Sequence, residues 1–371
     1  MLGIAFRFMM YDKSKTIGAM VGVIVAIFLI GQQTGIFLFL TGLMDALVSN
    51  TVAEVWVVDK KVNDVNSLTT IDIRNGNEIR SAPGVKSVSP LIIAGSTLHL
   101  KNGKSTPVQI IGSLPPTYTG GPWNVVKGNI QNLIEKGGIA ADRYDLKNFG
   151  QLDIGDEVSL GEKVVQLKAI SEGARGFGAN YIFTNISLAR EVGKFPQNKV
   201  SAYLVNVKKG YSPEKVAQQI NNNFSGIRAW TKKDFSRATI TKILKDGGIG
   251  QSIGSLIIFA IIAGGVIIGL TLYSSAIDRI DDYATMKAIG AKRKVVSRLI
   301  LLQAFIISIF GFIIGGVFIL GFRKGVENSG VLFSFSWWVW LLFFLLTLSI
   351  SLSGAWIASR NIRKVEPAKV F

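Results

Sequence analysis

Four uncharged runs, Thr16 to Met44, Gly247 to Ile277, Leu299 to Phe322 and Asn328 to Ser359, constrain this chain more than any other feature. Each exceeds the roughly 20 residues an α-helix needs to cross a hydrocarbon core of about 30 Å. Four spans put both ends of the chain on one side of a membrane, and lysine and arginine choose the side. Arg7, Lys13 and Lys15 precede the first run, and Arg279, Lys287, Lys292, Arg293, Lys294 and Arg298 separate the second from the third. Arg360, Arg363, Lys364 and Lys369 follow the fourth run, whereas the loop between the last two carries only Arg323 and Lys324. The positive-inside rule therefore places both termini and the loop 278–298 in the cytoplasm, and Asp45 to Asp246 outside. The 26 basic and 18 acidic residues of that large segment do not oppose this orientation, because long domains translocate largely regardless of charge.

The expected fold class is a membrane protein: four transmembrane α-helices with a large α+β extracytoplasmic domain inserted between the first and second. The expected divisions are an N-terminal segment 1–15, helix and stalk 16–44, outer domain 45–246, helix 251–277, loop 278–298, helix 299–322, outer loop 323–335, helix 336–358 and tail 359–371. A mean hydropathy of +0.38 is too apolar for an ordinary soluble protein, while the charged middle is too polar to be all membrane. There are no cysteines, which excludes disulfides, thiolate metal sites and cysteine nucleophiles. The first run is far longer than a signal-peptide core of roughly 7 to 15 residues and is read as a retained anchor. Gly18 and Gly22, and Gly265 and Gly269, leave small-xxx-small faces for close helix packing, although glycine is also simply common in membrane helices.

The outer segment reads as mixed α and β. Val52 to Val58 is a strand, Ile71 to Ala82 a short helix closed by Pro83-Gly84, and Lys86 to Leu100 one or two strands turning at Asn102-Gly103. A similar unit recurs downstream: a strand at Val200 to Val207, a helix from Pro213 to about Phe224 capped by Ser212, and a strand at Ile227 to Trp230. These two pieces bracket a turn-rich insert, so two lobes are expected, 45–112 plus 199–246 split by 113–198. Lys232 to Asp246 patterns as an amphipathic helix with Phe235, Ile240, Ile243 and Leu244 inward. Gly247, Gly248 and Gly250 then interrupt it, either as a hinge or as a plain loop; each glycine weakens a helix by roughly 1 kcal/mol relative to alanine.

The charged stretch Asp278 to Arg298 is helix-favouring and lies between two spans. Asp278, Asp281 and Asp282 suit a helix start, Lys287 its end, and Gly290 its stop. Ala284, Ala288 and Ala291 would form a narrow strip admitting another surface, with Tyr283, Met286 and Ile289 as apolar contacts alongside. A docking element and an interfacial helix lying on lipid both fit this pattern. Lys292, Arg293 and Lys294 suit anionic lipid headgroups. No basic-aromatic interleaving points to nucleic acid.

Catalytic constellations are thin, and no catalytic, cofactor-binding or metal residues are assigned. His99, the only histidine, sits in an expected strand, where a structural role is the default. Asp153, Asp156 and Glu157 form an acidic turn, read as solvated. Arg175, Gly176, Phe177 and Gly178 lie in a loop that is either a partner-contacting tip or an ordinary connection. Gly103-Lys104-Ser105 has Leu98 where a phosphate-binding loop needs its first glycine, so it is a turn.

The segment RIDDYATMKAIGAKRKVVSRLILLQAFIISIFGFIIGG resembles the signature of MacB/FtsX-type ABC transporter permeases. There a cytoplasmic coupling helix ends in a Gly-Ala-basic corner before the next span. The tail ASRNIRKVEPAKVF, the first span KSKTIGAMVGVIVAIFLIG and the outer segments IRSAPGVKSVSP and FGQLDIGDEVSL are similar to further parts of that family. Within it, the chain looks most like the DevC permeases of cyanobacterial exporters. The family's usual Glu-hydrophobe-Gly is replaced here by Asp282, Tyr283 and Ala284.

The resemblance implies a non-catalytic permease subunit of the bacterial inner membrane, working as a homodimer. A separate cytoplasmic ABC ATPase, using ATP and Mg, would engage Asp282, Tyr283, Ala284, Thr285, Met286, Lys287, Ala288, Ile289, Gly290 and Ala291. A periplasmic membrane-fusion adaptor, a TolC-like outer-membrane channel and membrane lipid would complete the assembly, with an amphiphile such as a glycolipid as cargo. An FtsX-like regulator that activates a periplasmic hydrolase without transport is the alternative.

Overall fold

The structure, a computed structural model, describes residues 1–11, 13–100, 103–246 and 248–363. The expected turn residue Asn102, the hinge glycine Gly247 and the closing motif from Lys364 onward lie outside the described residues. The chain divides into two compact units, Met1–Phe39 with Gln251–Phe371, and Leu40–Gly250. It opens with α1 (Leu2–Tyr11), which the expected segment 1–15 did not resolve as a helix. The first span follows as α2 (Lys13–Met44), whose 32 residues extend about 48 Å at 1.5 Å per residue, well beyond a bilayer core.

The second unit begins with the last turn of α2 and the short α3 (Ala46–Asn50). Then come β1 (Val55–Asp59), β2 (Ile71–Asp72), α4 (Asn75–Ser81), β3 (Val85–His99), β4 (Ser105–Ser113), β5 (Val125–Gly128) and β6 (Gly138–Asp142). The middle continues with α5 (Arg143–Asn148), β7 (Glu157–Leu160), β8 (Lys163–Ser171), β9 (Asn180–Asn185) and α6 (Ile186–Val192). It closes with β10 (Lys199–Val200), β11 (Ala202–Val207), α7 (Pro213–Asn223), β12 (Ile227–Thr231) and α8 (Lys232–Asp246). Ser212 Oγ accepts from the Lys215 N–H, the N-cap expected at α7.

Two expected elements shift, each for a local reason. The helix expected over Ile71–Ala82 starts only at Asn75. Asp72 turns its carboxylate onto the backbone and side chain of Arg74, and buried Ile71 pairs with Val200 as a strand. The strand expected from Val52 starts at Val55, because Thr51 caps α3 and Val52 is left exposed.

β3 organises this unit. Its first half, to Leu91, pairs with β11, and its second half, from Leu91, pairs with β4. β12, β1, β11 and β3 form one antiparallel stretch; β4, β9, β6, β8 and β7 return to β3 and close a ring of six hydrogen-bonded strands. Alternation along the ring strands fills its core with Ile92, Leu98, Ile110, Leu160, Leu167 and Ile182. A boundary expected at 113 therefore differs from the structure. The ring takes half of β3 and all of β4 from the sequence before it, so the two lobes share a strand. Open edges invite pairing with other chains, but at edge strand β12 the Asn221 side-chain amide brackets Ala229, donating to its C=O at 2.9 Å and accepting from its N–H at 2.7 Å.

The segments that enter and leave this unit are stapled to each other. Ser236 on α8 donates to the Asp45 carboxylate before α3 at 2.5 Å, Lys232 donates to the Thr51 carbonyl, and Asn66 donates to the Met44 carbonyl. Phe235 on α8 lies 5.6 Å from the Trp56 ring and 6.0 Å from Trp230. Of the four side chains expected inward on α8, Phe235 is buried, while Ile240, Ile243 and Leu244 are half-buried. Thr239 takes the inner position instead, because its hydroxyl accepts from the Val65 N–H.

The first unit resumes with α9 (Ile249–Ile277), α10 (Ile280–Ala288), α11 (Arg293–Glu327) and α12 (Trp337–Arg363). Among the described residues, four helices, α2, α9, α11 and α12, are long and apolar enough to cross a membrane. Small residues set their approach. A Cβ on Gly311 or Gly315 would meet Val23 or Ile27 of α2, one on Gly22 would meet Thr271 of α9, and one on Gly354 would lie 3.0 Å from the Gly269 Cα. Gly18 has open space, so of the first expected glycine pair only Gly22 lies at a crossing. Beyond these crossings, Phe322, Phe333, Phe335, Trp340 and Phe343 stack edge-on or tilted between α11 and α12.

Gly354→Ala is expected to lower the melting temperature of the detergent-solubilised chain. A backbone atom cannot step aside, and overpacking costs about 1–3 kcal/mol. Gly18→Ala, made in open space, serves as the matched substitution and should leave melting unchanged or slightly raised.

Candidate coupling site

The short helix α10 is defined at both ends by its own sequence. Asp281 and Asp282 occupy its first turn and Lys287 its last, each complementing the helix dipole. Gly290 adopts φ +101° and closes the helix in a Schellman arrangement: its N–H donates to the Lys287 carbonyl at 3.0 Å, and the Ala291 N–H to Met286 at 2.9 Å. An L side chain at Gly290 would be strained, which explains glycine at this corner.

Burial divides the expected docking residues into two faces. Tyr283 and Ala284 are buried, and Met286 and Lys287 are half-buried. Asp282, Thr285, Ala288, Ile289 and Gly290 are exposed, with Ile289 83% exposed. The expected strip Ala284–Ala288–Ala291 is thus broken: Ala284 faces its own chain and Ala291 is half-buried. Tyr283 likewise turns inward. The outward face is Asp281, Thr285, Ala288 and Ile289, at helical spacing.

The inward face is held by aromatic and polar contacts. The Tyr283 ring stacks on Phe8 of α1 at 5.6 Å and 15°, and its hydroxyl lies 2.9 Å from Gln303 Oε1 on α11. Burial pushes the Tyr283 phenol up to about 12, so it remains a neutral hydrogen-bonding group at any ordinary pH. Beside it Arg279, 3% exposed, donates to the Phe8 carbonyl at 3.2 Å and to Thr16 Oγ1 at 2.8 Å. In the sequence Arg279 stands out only as a topogenic charge, and neither Gln303 nor Thr16 carries a local motif. A lone glutamine inside an apolar run was the available signal.

The remaining candidates lie in the second unit. Gly248 has φ +63° between α8 and α9, and Gly250 packs against the Leu244 backbone. The loop 173–178 is tied down rather than projecting. Arg175 Nε donates to Asp145 Oδ1 at 2.8 Å, the Ala174 N–H donates to Asp142, and a Cβ on Gly176 would strike the Tyr181 ring. Phe177 is half-buried and Gly178 exposed. His99 Nδ1 lies 2.8 Å from Ser105 Oγ, Asp153 pairs with Lys127, and Asp156 accepts from the Asp153 N–H. Among the described residues no group of three or more metal-ligating side chains forms a site.

Asp145 is fully buried, and loss of hydration pushes its carboxyl up to about 6 against the pull of Arg175, with Asp142 adding to the rise. The folded state then binds a proton more tightly than the unfolded chain. Its contribution therefore favours folding at low pH and is lost as pH rises from about 4 through about 6. The Asp145 contribution to melting is expected to grow as pH falls across that window, and Asp145→Asn should remove that component when its profile is compared with the parent's.

Residues 254–367 match the FtsX-like permease C-terminal family, and residues 16–223 match the MacB-like periplasmic core domain, more than half of the chain. The chain belongs to the MacB/FtsX-type ABC transporter permeases, and its α+β domain between the first and second spans is that family's periplasmic-type domain. It is 22% identical over 334 residues to the macrolide export ATP-binding/permease protein MacB 2 of Aeromonas hydrophila subsp. hydrophila, covering 82% of this chain. The alignment spans 49% of that relative's length.

Among solved structures, the chain is similar to the periplasmic region of MacB from Actinobacillus actinomycetemcomitans, at a TM-score of 0.40 and 9% identity. That match covers 52% of this chain and 96% of the other. The extracellular domain of the noncanonic ABC-type transporter YknZ from Gram-positive bacteria gives a TM-score of 0.35 and 12% identity, covering 48% and 99%.

Proposed function

We propose that this chain is the membrane subunit of an ATP-driven exporter, receiving motion at α10 from a separate ABC ATPase that binds ATP and Mg. The observation that carries this reading is the two-faced α10, with one face locked to its own unit by Tyr283 and the other left open. Charge supports the orientation, with α10 and both termini cytoplasmic and residues 45–246 periplasmic in a bacterial inner membrane. Two copies form the working unit.

Motion at α10 passes into α2 and α9, and these continue through α3 and α8 into the outer domain. The Asp45–Ser236 staple makes those two inputs act on the domain together. The cargo is an amphiphile such as a glycolipid, handed through a periplasmic adaptor to an outer-membrane channel as in a DevC-like exporter. The export function in the relative's name supports transport over hydrolase regulation.

Purification of the tagged chain from native membranes, with mass spectrometry of what accompanies it, tests this. A P-loop ATPase together with a periplasmic adaptor is expected. An ATPase with a wall hydrolase and no adaptor would replace export by FtsX-like regulation.

A further inference from the structure

A buried arginine is costly unless its charge and donors are met, so where Arg279 spends them is informative. It stands at the N-cap of α10, 3% exposed, yet its guanidinium reaches across to α1 and α2. Nη1 donates to the carbonyl of Phe8, Nη2 donates to Thr16 Oγ1, and Cζ lies 5.4 Å from the centre of the Phe8 ring. Thr16 Oγ1 in turn donates to the Met9 carbonyl at 2.8 Å.

Phe8 and Met9 are among the last four residues of α1, whose carbonyls a helix cannot satisfy internally. Arg279 and Thr16 together therefore cap α1 from outside, and the cation sits at the negative end of its dipole. The tie is doubled by Lys15 Nζ, which donates to the Asp278 carbonyl at 2.9 Å. Stacking of Phe8 on Tyr283 adds an apolar contact to the same joint.

We propose that α1 and α10 move as one body, with Arg279 as the positioning residue that clamps them and grips the first turn of α2 through Thr16. This rests on α10 being the ATPase-coupling helix, and it adds a direct route. Motion of α10 enters α2 at its first turn through a charged clamp, instead of arriving only through α9 and α11. Helix α1 is then part of the transmission, not merely a segment lying beside the first span.

The chain has no cysteine, so spin labels can be placed by two substitutions, Met10→Cys on α1 and Asp278→Cys just before the N-cap of α10, both at exposed positions and both off the outward face of α10. The full chain with its co-purified ATPase, in lipid nanodiscs, is measured by pulsed EPR without nucleotide and after trapping with ATP, Mg and vanadate. One narrow α1–α10 distance, unchanged by trapping, is expected. Arg279→Met should broaden that distribution and lower permease-dependent ATP turnover by about fivefold or more, within the usual range of coupling energies, while the ATPase still co-purifies. Arg279→Lys, which restores the cation without the fork, should fall between the two.

A parent-like distribution in Arg279→Met overturns the clamp, as does an α1–α10 distance that changes on trapping in the parent. If Arg279→Met does not assemble, Thr16→Val carries the test: broadening supports the clamp and a parent-like distribution overturns it. Failure of the coupling-helix reading shows separately, as full ATPase binding and turnover in Ala288→Arg with the α1–α10 distance intact.

Discussion

Ala288→Arg is expected to leave the chain folded and to reduce ATPase binding and permease-dependent ATP turnover by about tenfold or more. Ala288 is exposed on the outer face of α10. A long charged side chain on a face that must meet a partner overfills the contact at a cost of about 1–3 kcal/mol, and about 1.4 kcal/mol is a factor of ten. Co-purification with quantified ATPase, beside a melting curve, checks both halves of the expectation. Unchanged binding and turnover would remove α10 as the docking element.

Tyr283→Ala should act from the opposite face of the same helix. The side chain is fully buried, stacked on Phe8 and bonded to Gln303, so truncation is expected to cost about 3–5 kcal/mol of local stability. Tyr283→Phe keeps the ring but leaves the buried Gln303 amide short of a partner, a loss of about 1–3 kcal/mol. The two variants should therefore rank Ala below Phe below parent, both in melting temperature and in retention of the ATPase. Equal behaviour of Ala and parent would mean that α10 is seated by its backbone connections alone.

The contrast between these residues shows what the sequence could convey. The four spans were legible because the cost of burying charge in lipid acts on every residue, and long uncharged runs survive any tertiary context. The stop at Gly290 and the cap at Ser212 were legible too, since each depends on bonds within a few residues. The division of α10 into faces was not. Ala284, Ala288 and Ala291 are identical side chains, and only contacts of this helix with α11 and α1, 20 and 275 residues distant by number at Tyr283, turn one inward and another out.

Lobe boundaries failed for a similar reason. Lys86 to Leu100 reads as one or two strands, yet β3 is a single strand that changes partner at Leu91, from β11 on one side to β4 on the other. A six-strand ring closed through β7 is a consequence of long-range pairing that local pattern does not encode. The tie between Asp142, Asp145 and loop 173–178 was equally hidden: both carboxylates look like ordinary surface acids until burial is known.

ATP-driven motion at α10 is proposed to reach the periplasmic domain. In the proposed two-copy assembly, a single label at Val126→Cys, an exposed site on β5, reports one distance between the copies in a chain that otherwise lacks cysteine. With the ATPase bound, trapping by ATP, Mg and vanadate should shift that distance, and Ala288→Arg should abolish the shift. Continued ATP hydrolysis by the parent complex with no change in the Val126→Cys distance would mean that hydrolysis is not coupled to the periplasmic domain.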